Sequence, residues 1–218
     1  MAKRKAAVRE THGGQHTRSD NGPAIRAKAL ESLLVEKGLL ASDAVDALVE
    51  AYKKDIGPMN GSKVVARGWT DPAYKERLLE NGTDAIEELG FGGLEGSKIV
   101  VLENTDTVHN MVVCTLCSCY LWPVLGLPPN WYKSLSYRAR AVSQPRTVLK
   151  EIGLEIDESV VVRVWDSTAD VRYLVLPQHP DGTEDLSEAQ LVELATRDSM
   201  IGIAKANFPR LGRLEGLL

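Results

Sequence analysis

The sequence predicts an N-terminal helical arm followed by a globular domain of the α+β class, or of a layered α-β-β-α class. Two observations favour it. Apolar residues recur at helical spacing up to about residue 90, and short runs of β-branched residues replace them from Lys98 onward. No internal repeat is visible, which argues against a solenoid or a propeller. The predicted segments are a disordered basic tail (1–22), the arm (23–68), the mixed domain (69–206) and a flexible tail (207–218).

Length and composition fit this organisation and exclude several function classes. A chain of 218 residues can bury a sizeable core and still provide an arm. The net charge of -4 argues against nucleic acid as a partner. No apolar run is long enough to span a bilayer, and the first 21 residues lack the hydrophobic centre of a secretory signal. We therefore expect no membrane partner and a cytoplasmic location, where thiols persist.

The arm is predicted from two short helical patterns. One begins at Pro23 and ends near Gly38, with Ile25, Leu30, Leu33 and Leu34 at helical spacing. The other runs from Ser42 to Ile56. Two such helices without a sheet cannot form a good core, so we expect them to lie against another surface. For the basic tail before them, metal delivery or nucleic-acid contact is the alternative to disorder.

The first elements of the domain are also helical. Asp71 followed by Pro72 marks a helix start, with Tyr74, Leu78 and Leu79 as its buried residues. Asp84 and Glu87 have the spacing of a capping box for a short helix that ends at Gly90. The glycine-rich turn that follows lacks the spacing of a phosphate-binding loop, so we interpret it as a connection.

Strands and helices alternate in the remainder of the domain. The predicted strands are Ile99–Leu102, Met111–Val113, Val160–Trp165 and Arg172–Leu176, the last two joined by a polar turn at 166–170. The predicted helices are Tyr137–Ile152, on both sides of Pro145, and a helix from Ser187 to about Thr196. Three arginines of the first helix, at 138, 140 and 146, indicate a salt-bridged face, with anion or partner binding as the alternative.

All three cysteines of the chain, Cys114, Cys117 and Cys119, lie within six residues at the end of a predicted strand. Such spacing does not suit a disulfide framework. A structural zinc site normally uses four ligands in two separated pairs, and the four histidines are scattered along the chain. A metal held chiefly by these three thiols is the first hypothesis.

The spacing allows one further source of ligands. If the three thiolates surround one ion, the backbone amides of Ser118 and Cys119 come close enough to coordinate once deprotonated. Only a strongly polarising ion, such as trivalent cobalt or iron, would sustain this. Five ligands would leave one position open, as in a catalytic site. Two alternatives remain open at this point: zinc completed by His109 or by another subunit, and a plain set of buried thiols.

A family resemblance extends this interpretation. The run Val113–Tyr120, followed by Trp122–Pro123 and Leu125–Tyr132, resembles the metal-binding signature of the nitrile hydratase α subunit. Further segments resemble the same family in the same order: Lys28–Leu34, Gly57–Pro58, Lys63–Ala66, Trp69–Pro72, Val164–Ser167 and Thr196–Gly202. The resemblance covers residues 24 to 204.

The resemblance implies a lyase that hydrates organic nitriles to amides. Thr115 resembles the cobalt-type subfamily, so the implied ion is Co(III), with Fe(III) as the alternative. It implies that Cys114 stays a thiolate, while Cys117 becomes a sulfinate and Cys119 a sulfenate. The nucleophile is then either the sulfenate of Cys119 or a water molecule.

Other residues receive roles from the same resemblance. Ser118 would supply its amide nitrogen, Trp122 would line the substrate pocket, and Tyr120 would lie near it. Asp166 and Arg172 are predicted to form a buried ion pair behind the cysteines, with a surface turn as the alternative. Glu95 stands where the family often has glutamine, and Leu121 stands where proline is common.

The resemblance also implies partners. The arm would pack on a β subunit whose arginines bind the oxidised sulfurs, an activator protein would assist cobalt loading, and the assembly would be an α2β2 heterotetramer. The chain alone would be inactive. One rival is a thiocyanate hydrolase-like enzyme, against which Trp122 argues because an anionic substrate favours arginine there. The other is a non-enzymatic zinc or cobalt module.

Overall fold

The computed structural model describes residues 22–41, 43–47, 50, 56–92, 97–117 and 119–207, except for the side chains of residues 23 and 24. Contacts divide the chain into two compact units, Met1–Val49 and Glu50–Leu218. The predicted tails lie outside the described residues, apart from Gly22 and Asn207. Within the described part of the chain, no helix is long and apolar enough to cross a membrane.

The first unit contains helix α1, Gly22–Glu36, and a second helical stretch at residues 43–47. Both agree with the predicted arm helices, although Ser42 and residues 51–55 lie outside the described residues. Gly38, which was expected to end the first helix, adopts a positive φ of 67° just after α1. The apolar residues of α1 are exposed, with exposed fractions of 67% for Ile25, 62% for Leu30 and 49% for Leu33.

The second unit alternates helices and strands. Its helices are α2 (Pro58–Thr70), α3 (Pro72–Glu80), α4 (Gly82–Glu88), α5 (Trp122–Leu125), α6 (Leu135–Ser143), α7 (Pro145–Glu151), α8 (Glu188–Val192) and α9 (Arg197–Met200), with a 3-10 helix at Asn130–Lys133. Its strands are β1 (Lys98–Glu103), β2 (Val108–Val113), β3 (Val161–Asp166) and β4 (Val171–Leu176). All four predicted strands are confirmed, with ends that differ by up to three residues.

Helix α2 was not predicted from the sequence. Its residues up to 68 were assigned to the predicted arm. The boundary between the two compact units instead falls between Val49 and Glu50, and Val64 and Val65 of α2 are fully buried in the hydrophobic core of the second unit. Pro58 occupies the first turn of α2, where a proline is tolerated. The internal glycines and paired valines of α2 also have low helix propensity.

The predicted capping residues of the domain helices are confirmed in some cases and wrong in others. Asp71 caps α3 as predicted, because its carboxylate accepts a hydrogen bond from the Tyr74 amide at 3.0 Å. The predicted capping role of Asp84 is wrong: Asn81 caps α4, accepting from the Asp84 amide at 3.4 Å. The helix predicted from Ser187 to about Thr196 is shorter in the structure, where α8 spans Glu188–Val192. Thr196 does not belong to it and caps the next helix, α9.

The four strands form two parallel pairs, β1 with β4 and β2 with β3. The two strands that follow each other in the chain, β3 and β4, therefore belong to different sheets, and residues 166–170 cross from one sheet to the other. Helices α3 and α4 pack on β1, α6 packs on β2 and α7 packs on β3, while β2 contacts both β1 and β4. This order of helix, sheet, sheet and helix confirms the predicted layered class.

The two helices α6 and α7 confirm the prediction of a helix on each side of Pro145. Gln144, the residue before the proline, leaves the helical conformation with a φ of -143° and a ψ of 54°, in line with the steric disfavour of the α region before proline. The three arginines here have structural partners: Arg140 pairs with Glu151, and Arg146 donates to backbone carbonyls at 156, 157 and 160. These contacts confirm the salt-bridged interpretation for Arg140.

Candidate metal centre

The three cysteines lie where β2 and β3 end. Because these strands are parallel, their carboxyl ends meet at one edge, where Val113 pairs with Asp166. Cys114 follows Val113 directly and begins what we call the claw loop, residues 114–119. A strand end held in a sheet gives such a loop a rigid base.

The claw loop brings the three sulfur atoms together. The Sγ atom of Cys117 lies 3.5 Å from that of Cys114 and 3.0 Å from that of Cys119, and all three lie within 4.8 Å of one another. The amide of Cys117 donates to the Cys114 Sγ atom at 3.3 Å. Cys114 is buried, Cys119 is half-buried and Cys117 is exposed. The group therefore has one buried ligand and one side open to reactants.

The electrostatics of the group favour metal binding over free ionisation. Burial, with a smaller contribution from the neighbouring thiols Cys117 and Cys114, raises the pKa of Cys119 to about 12, while Arg172 acts in the opposite direction. Thiols so close together repel one another as thiolates, and a cation relieves this repulsion. The Cys119 thiol is therefore a poor acid until an ion binds.

The surroundings of Arg172 also indicate that the group of cysteines carries negative charge when it binds a metal. Its Nε and Nη1 atoms are buried and have no hydrogen-bond partner among the described residues. A buried guanidinium without a counter-charge is costly. A ligand set of thiolates would supply this counter-charge beside it.

Asp166 contacts the claw loop in a different way from the one predicted. Among the described residues it forms no ion pair with Arg172. Its two carboxylate oxygens instead accept hydrogen bonds from Thr115, from the amide at 2.9 Å and from the hydroxyl at 2.5 Å. The predicted ion pair is wrong, because the register of β2 with β3 places the carboxylate beside the loop.

Two residues that the sequence did not assign to the metal centre also bind the claw loop. The Tyr132 hydroxyl donates to the Cys119 carbonyl at 3.1 Å, and the Arg138 Nη1 atom donates to the Leu116 carbonyl at 3.2 Å. Each contact joins residues 13 or more positions apart. Tyr132 ends one of the segments of the family signature, but no local pattern indicates its contact.

The other predicted site residues lie in different environments. Trp122 is the first residue of α5 and is half-buried. Tyr120 is 4% exposed, packs edge-on against Tyr132 with ring centroids 5.0 Å apart, and has a buried hydroxyl without a partner among the described residues. Ser118 and Glu95 lie outside the described residues.

His109 does not complete a zinc site. It lies near the other end of β2, where its Nε2 atom is 2.8 Å from the Gly202 carbonyl oxygen and its Nδ1 atom 3.3 Å from the Asn104 amide nitrogen. Both ring nitrogens are thus engaged in the interior. Among the described residues, the group that can hold a metal consists of the three cysteines.

The donor set decides which ions fit. Three converging sulfurs are soft ligands, which suit cobalt, iron or zinc and do not suit magnesium or calcium. The buried Nε and Nη1 atoms of Arg172, which have no hydrogen-bond partner among the described residues, suit a ligand set with an overall negative charge. The residues present therefore fit a thiolate-bound transition metal.

Comparisons with known proteins agree with this chemistry. A family model described as the nitrile hydratase alpha chain matches residues 21–204. The low-molecular weight cobalt-containing nitrile hydratase subunit alpha of Rhodococcus rhodochrous is 56% identical over 196 residues, which cover 90% of this chain and 95% of that protein.

Two further relatives complete the comparison. A solved double mutant of the Fe-type nitrile hydratase from Comamonas testosteroni Ni1 superposes with a TM-score of 0.81 at 49% identity, covering 88% of this chain and 93% of the other. The thiocyanate hydrolase subunit gamma of Thiobacillus thioparus is 38% identical, covering 81% of this chain and 76% of that protein.

Proposed function

This chain belongs to the nitrile hydratase α-chain family, and we propose that with a β subunit it forms a cobalt-dependent lyase that hydrates organic nitriles to amides. The observation that carries the proposal is the set of three sulfur atoms within 4.8 Å at the end of β2. A trivalent cobalt ion held there by the cysteines and by the Ser118 and Cys119 amides would supply Lewis acidity to the reaction.

Cobalt is proposed over iron on two grounds. The Rhodococcus relative named as cobalt-containing shares 56% of its residues with this chain, and Thr115 resembles the cobalt-type signature. The 49% identity to the Fe-type enzyme of Comamonas makes Fe(III) the alternative.

The three cysteines are proposed to play different parts. Cys114 is buried and suits an unmodified thiolate ligand. Cys117 and Cys119 are more accessible, which suits oxidation to a sulfinate on Cys117 and a sulfenate on Cys119. The oxidised sulfur of Cys119 is a candidate nucleophile, with water as the alternative. Arg172 would face this negative charge from within the chain.

The substrate would meet the open side of the claw loop. Trp122, half-buried three residues beyond Cys119, is the candidate for the wall of an apolar pocket. Ser118, Tyr120 and Glu95 remain proposed pocket or catalytic residues. An ionised Glu95 near the site would disfavour anionic substrates.

Exposed apolar residues support a β partner. Leu116 in the claw loop is 84% exposed, and Leu127 and Leu135 in the segments after it are 70% and 79% exposed. Together with the exposed leucines of α1, they suit burial by another subunit. We propose that residues 23–68 include the arm that packs on that subunit, that the enzyme is an α2β2 heterotetramer in the cytoplasm, and that an activator protein assists cobalt loading.

Two other functions are weaker. The thiocyanate hydrolase relative is less similar, at 38% identity, and the neutral Trp122 favours a neutral nitrile over a thiocyanate anion. A non-enzymatic zinc or cobalt module does not fit membership of an enzyme family.

The deciding experiment is metal analysis with peptide mass spectrometry on the chain co-expressed with its β partner. We expect one cobalt per chain, two added oxygens on Cys117, one on Cys119, and turnover of a neutral nitrile but not of thiocyanate. A Cys114→Ser variant, which loses the buried ligand, should hold no cobalt. Zinc with unmodified thiols in active, assembled protein would contradict the proposal.

A further inference from the structure

The claw loop is held on one side by a buried tyrosine. Tyr132 has no exposed surface, and its hydroxyl donates to the Cys119 carbonyl at 3.1 Å. The contact fixes the backbone at the end of the claw loop, next to the third sulfur.

Arg138 holds the middle of the loop. Its Nη1 atom donates to the Leu116 carbonyl at 3.2 Å, while its Nε and Nη2 atoms donate to the Lys133 carbonyl at 2.9 and 2.5 Å. One guanidinium therefore ties the claw loop to the end of the 3-10 helix. Only arginine has the fork of donors that this double contact needs.

Both contacts come from one continuous stretch of chain. Tyr132 lies in the 3-10 helix and Arg138 in α6, and α6 itself packs on β2, the strand that leads into Cys114. On the other side, Asp166 holds Thr115. Backbone groups of Thr115, Leu116 and Cys119 are thus fixed by side chains that are not themselves metal ligands.

We infer that Tyr132 and Arg138 are positioning residues that preset the claw loop for its metal. This inference rests on the proposed function and adds two residues to it. Ordering a free loop opposes metal binding, since each residue that becomes fixed loses conformational entropy. Contacts that exist before the metal arrives remove part of that opposition, because binding and local ordering are coupled. Losing either contact weakens cobalt binding and alters the ligand geometry.

The sharpest test compares two buried tyrosines. Tyr137 resembles Tyr132: it is also buried, and its hydroxyl donates to a backbone carbonyl, that of Val112, at 3.1 Å. Tyr132→Phe and Tyr137→Phe thus each remove one hydrogen bond from a tyrosine hydroxyl to a backbone carbonyl. The carbonyl lies in the claw loop for Tyr132 and in β2 for Tyr137. We would titrate each metal-free α–β complex with Co²⁺, following the thiolate-to-cobalt absorption band, and record thermal unfolding in parallel.

We expect Tyr132→Phe to bind cobalt about tenfold more weakly, with a shifted band, since lost outer contacts of metal sites commonly cost this much. Tyr137→Phe should lower thermal stability similarly and bind cobalt as the unchanged complex does. If Tyr132→Phe bound cobalt with the affinity and the absorption band of the unchanged complex, the inference about Tyr132 would be overturned and the proposed function would stand. Failure of the unchanged complex to bind cobalt even with its activator protein present would overturn the proposed function as well.

Arg138, which is half-buried, gives a second test outside the hydrophobic core. Arg138→Gln loses the bridge to Leu116, whereas Arg140→Gln, on the same helix, loses only the ion pair with Glu151. Weaker cobalt binding and a shifted band in Arg138→Gln, but not in Arg140→Gln, would support the inference. Identical titrations for both variants would contradict the role of Arg138.

Discussion

Thr115 links the claw loop to the end of the neighbouring strand β3 through its hydroxyl group and its backbone amide. Its hydroxyl and amide both bind the carboxylate of Asp166, so the residue after the first cysteine is held at two points. This contact gives a physical role to the residue type that resembles the cobalt-type signature. A branched side chain has fewer rotamers than serine and loses less entropy when it is fixed.

We predict that Thr115→Val, which keeps the shape but loses the hydroxyl, weakens cobalt binding about fivefold, the equivalent of a hydrogen bond of about 1 kcal/mol. Thr115→Ser keeps the hydroxyl and should retain most of the affinity. Cobalt titration of the assembled complex measures both. A smaller loss in Thr115→Val than in Thr115→Ser would show that the methyl group, not the hydroxyl bond to Asp166, matters.

His109 is held in its neutral form by the groups around it. Asn104 uses its carbonyl oxygen to accept from the Asn110 amide at 2.7 Å, so its NH₂ group faces the histidine Nδ1 atom. The Nε2 atom then carries the proton and donates to the Gly202 carbonyl at 2.8 Å. Burial lowers the pKa of His109, and Lys205 and Arg146 lower it further, while the Gly202 contact opposes them.

This shift predicts how stability depends on pH. The unfolded chain gains a proton on His109 below about pH 6.5, whereas the folded chain resists it. The contribution is fully present above about pH 6.5, and it is lost as the pH falls toward the lowered pKa of the folded state. In His109→Gln the free energy of unfolding, measured by urea denaturation, should fall less over this range. Parallel pH curves would exclude His109 as the cause.

At the scale of elements, the turn after α9 approaches β2 unusually closely. Gly202 has a φ of 77°, and a Cβ atom built on it would lie 1.8 Å from the Asn110 carbonyl oxygen. The neighbouring Ile201 carbonyl accepts from the Val112 amide at 3.0 Å. The turn thus supports β2 just before it enters the claw loop, and only glycine fits there.

We predict that Gly202→Ala lowers the free energy of unfolding by about 3 kcal/mol or more, since backbone would have to move. Gly182→Ala is the matched control, because Gly182 has a similar φ of 74° but no atom within 4 Å of an added Cβ. It should cost only about 1 kcal/mol, the strain of the backbone conformation alone. Similar losses in urea denaturation would mean that β2 adapts to the extra atom.

At the scale of the whole molecule, the two units differ in how much apolar surface they bury. The buried hydrophobic residues of the described chain run from Val64 to Ala206, all in the second unit. The leucines of α1 in the first unit are exposed. A helix with exposed leucines gains stability from a partner that covers them.

We predict that Leu30→Ser with Leu33→Ser leaves the thermal stability of the chain nearly unchanged but weakens its association with the β subunit at least tenfold. Each leucine buried at an interface contributes about 1.5–3 kcal/mol. Lys28→Ser with Lys37→Ser, on exposed polar positions nearby, should leave association intact. Unchanged association of the leucine variant, measured by analytical ultracentrifugation, would place the β subunit on another surface.

The sequence by itself determined the features that neighbouring residues encode. The cysteine spacing indicated a thiolate-bound metal, and the family signature around it identified the class of enzyme. Helix starts such as Asp71–Pro72 and β-branched strands such as β1 were predictable because caps, prolines and alternation act over a few residues. The same local signals failed where two residues compete for one role, as at Asn81 and Asp84.

The tertiary structure alone decided what surrounds the cysteines. Nothing along the chain indicates that β2 pairs with β3 and β1 with β4, since pairing depends on how the sheets and helices pack together. That pairing places Asp166 beside Thr115, 51 residues away, and not beside Arg172. The contacts of Tyr132 and Arg138 with the claw loop arise in the same way. Hydrogen bonds between distant residues carry no local pattern, because their partners are fixed only when the layers assemble.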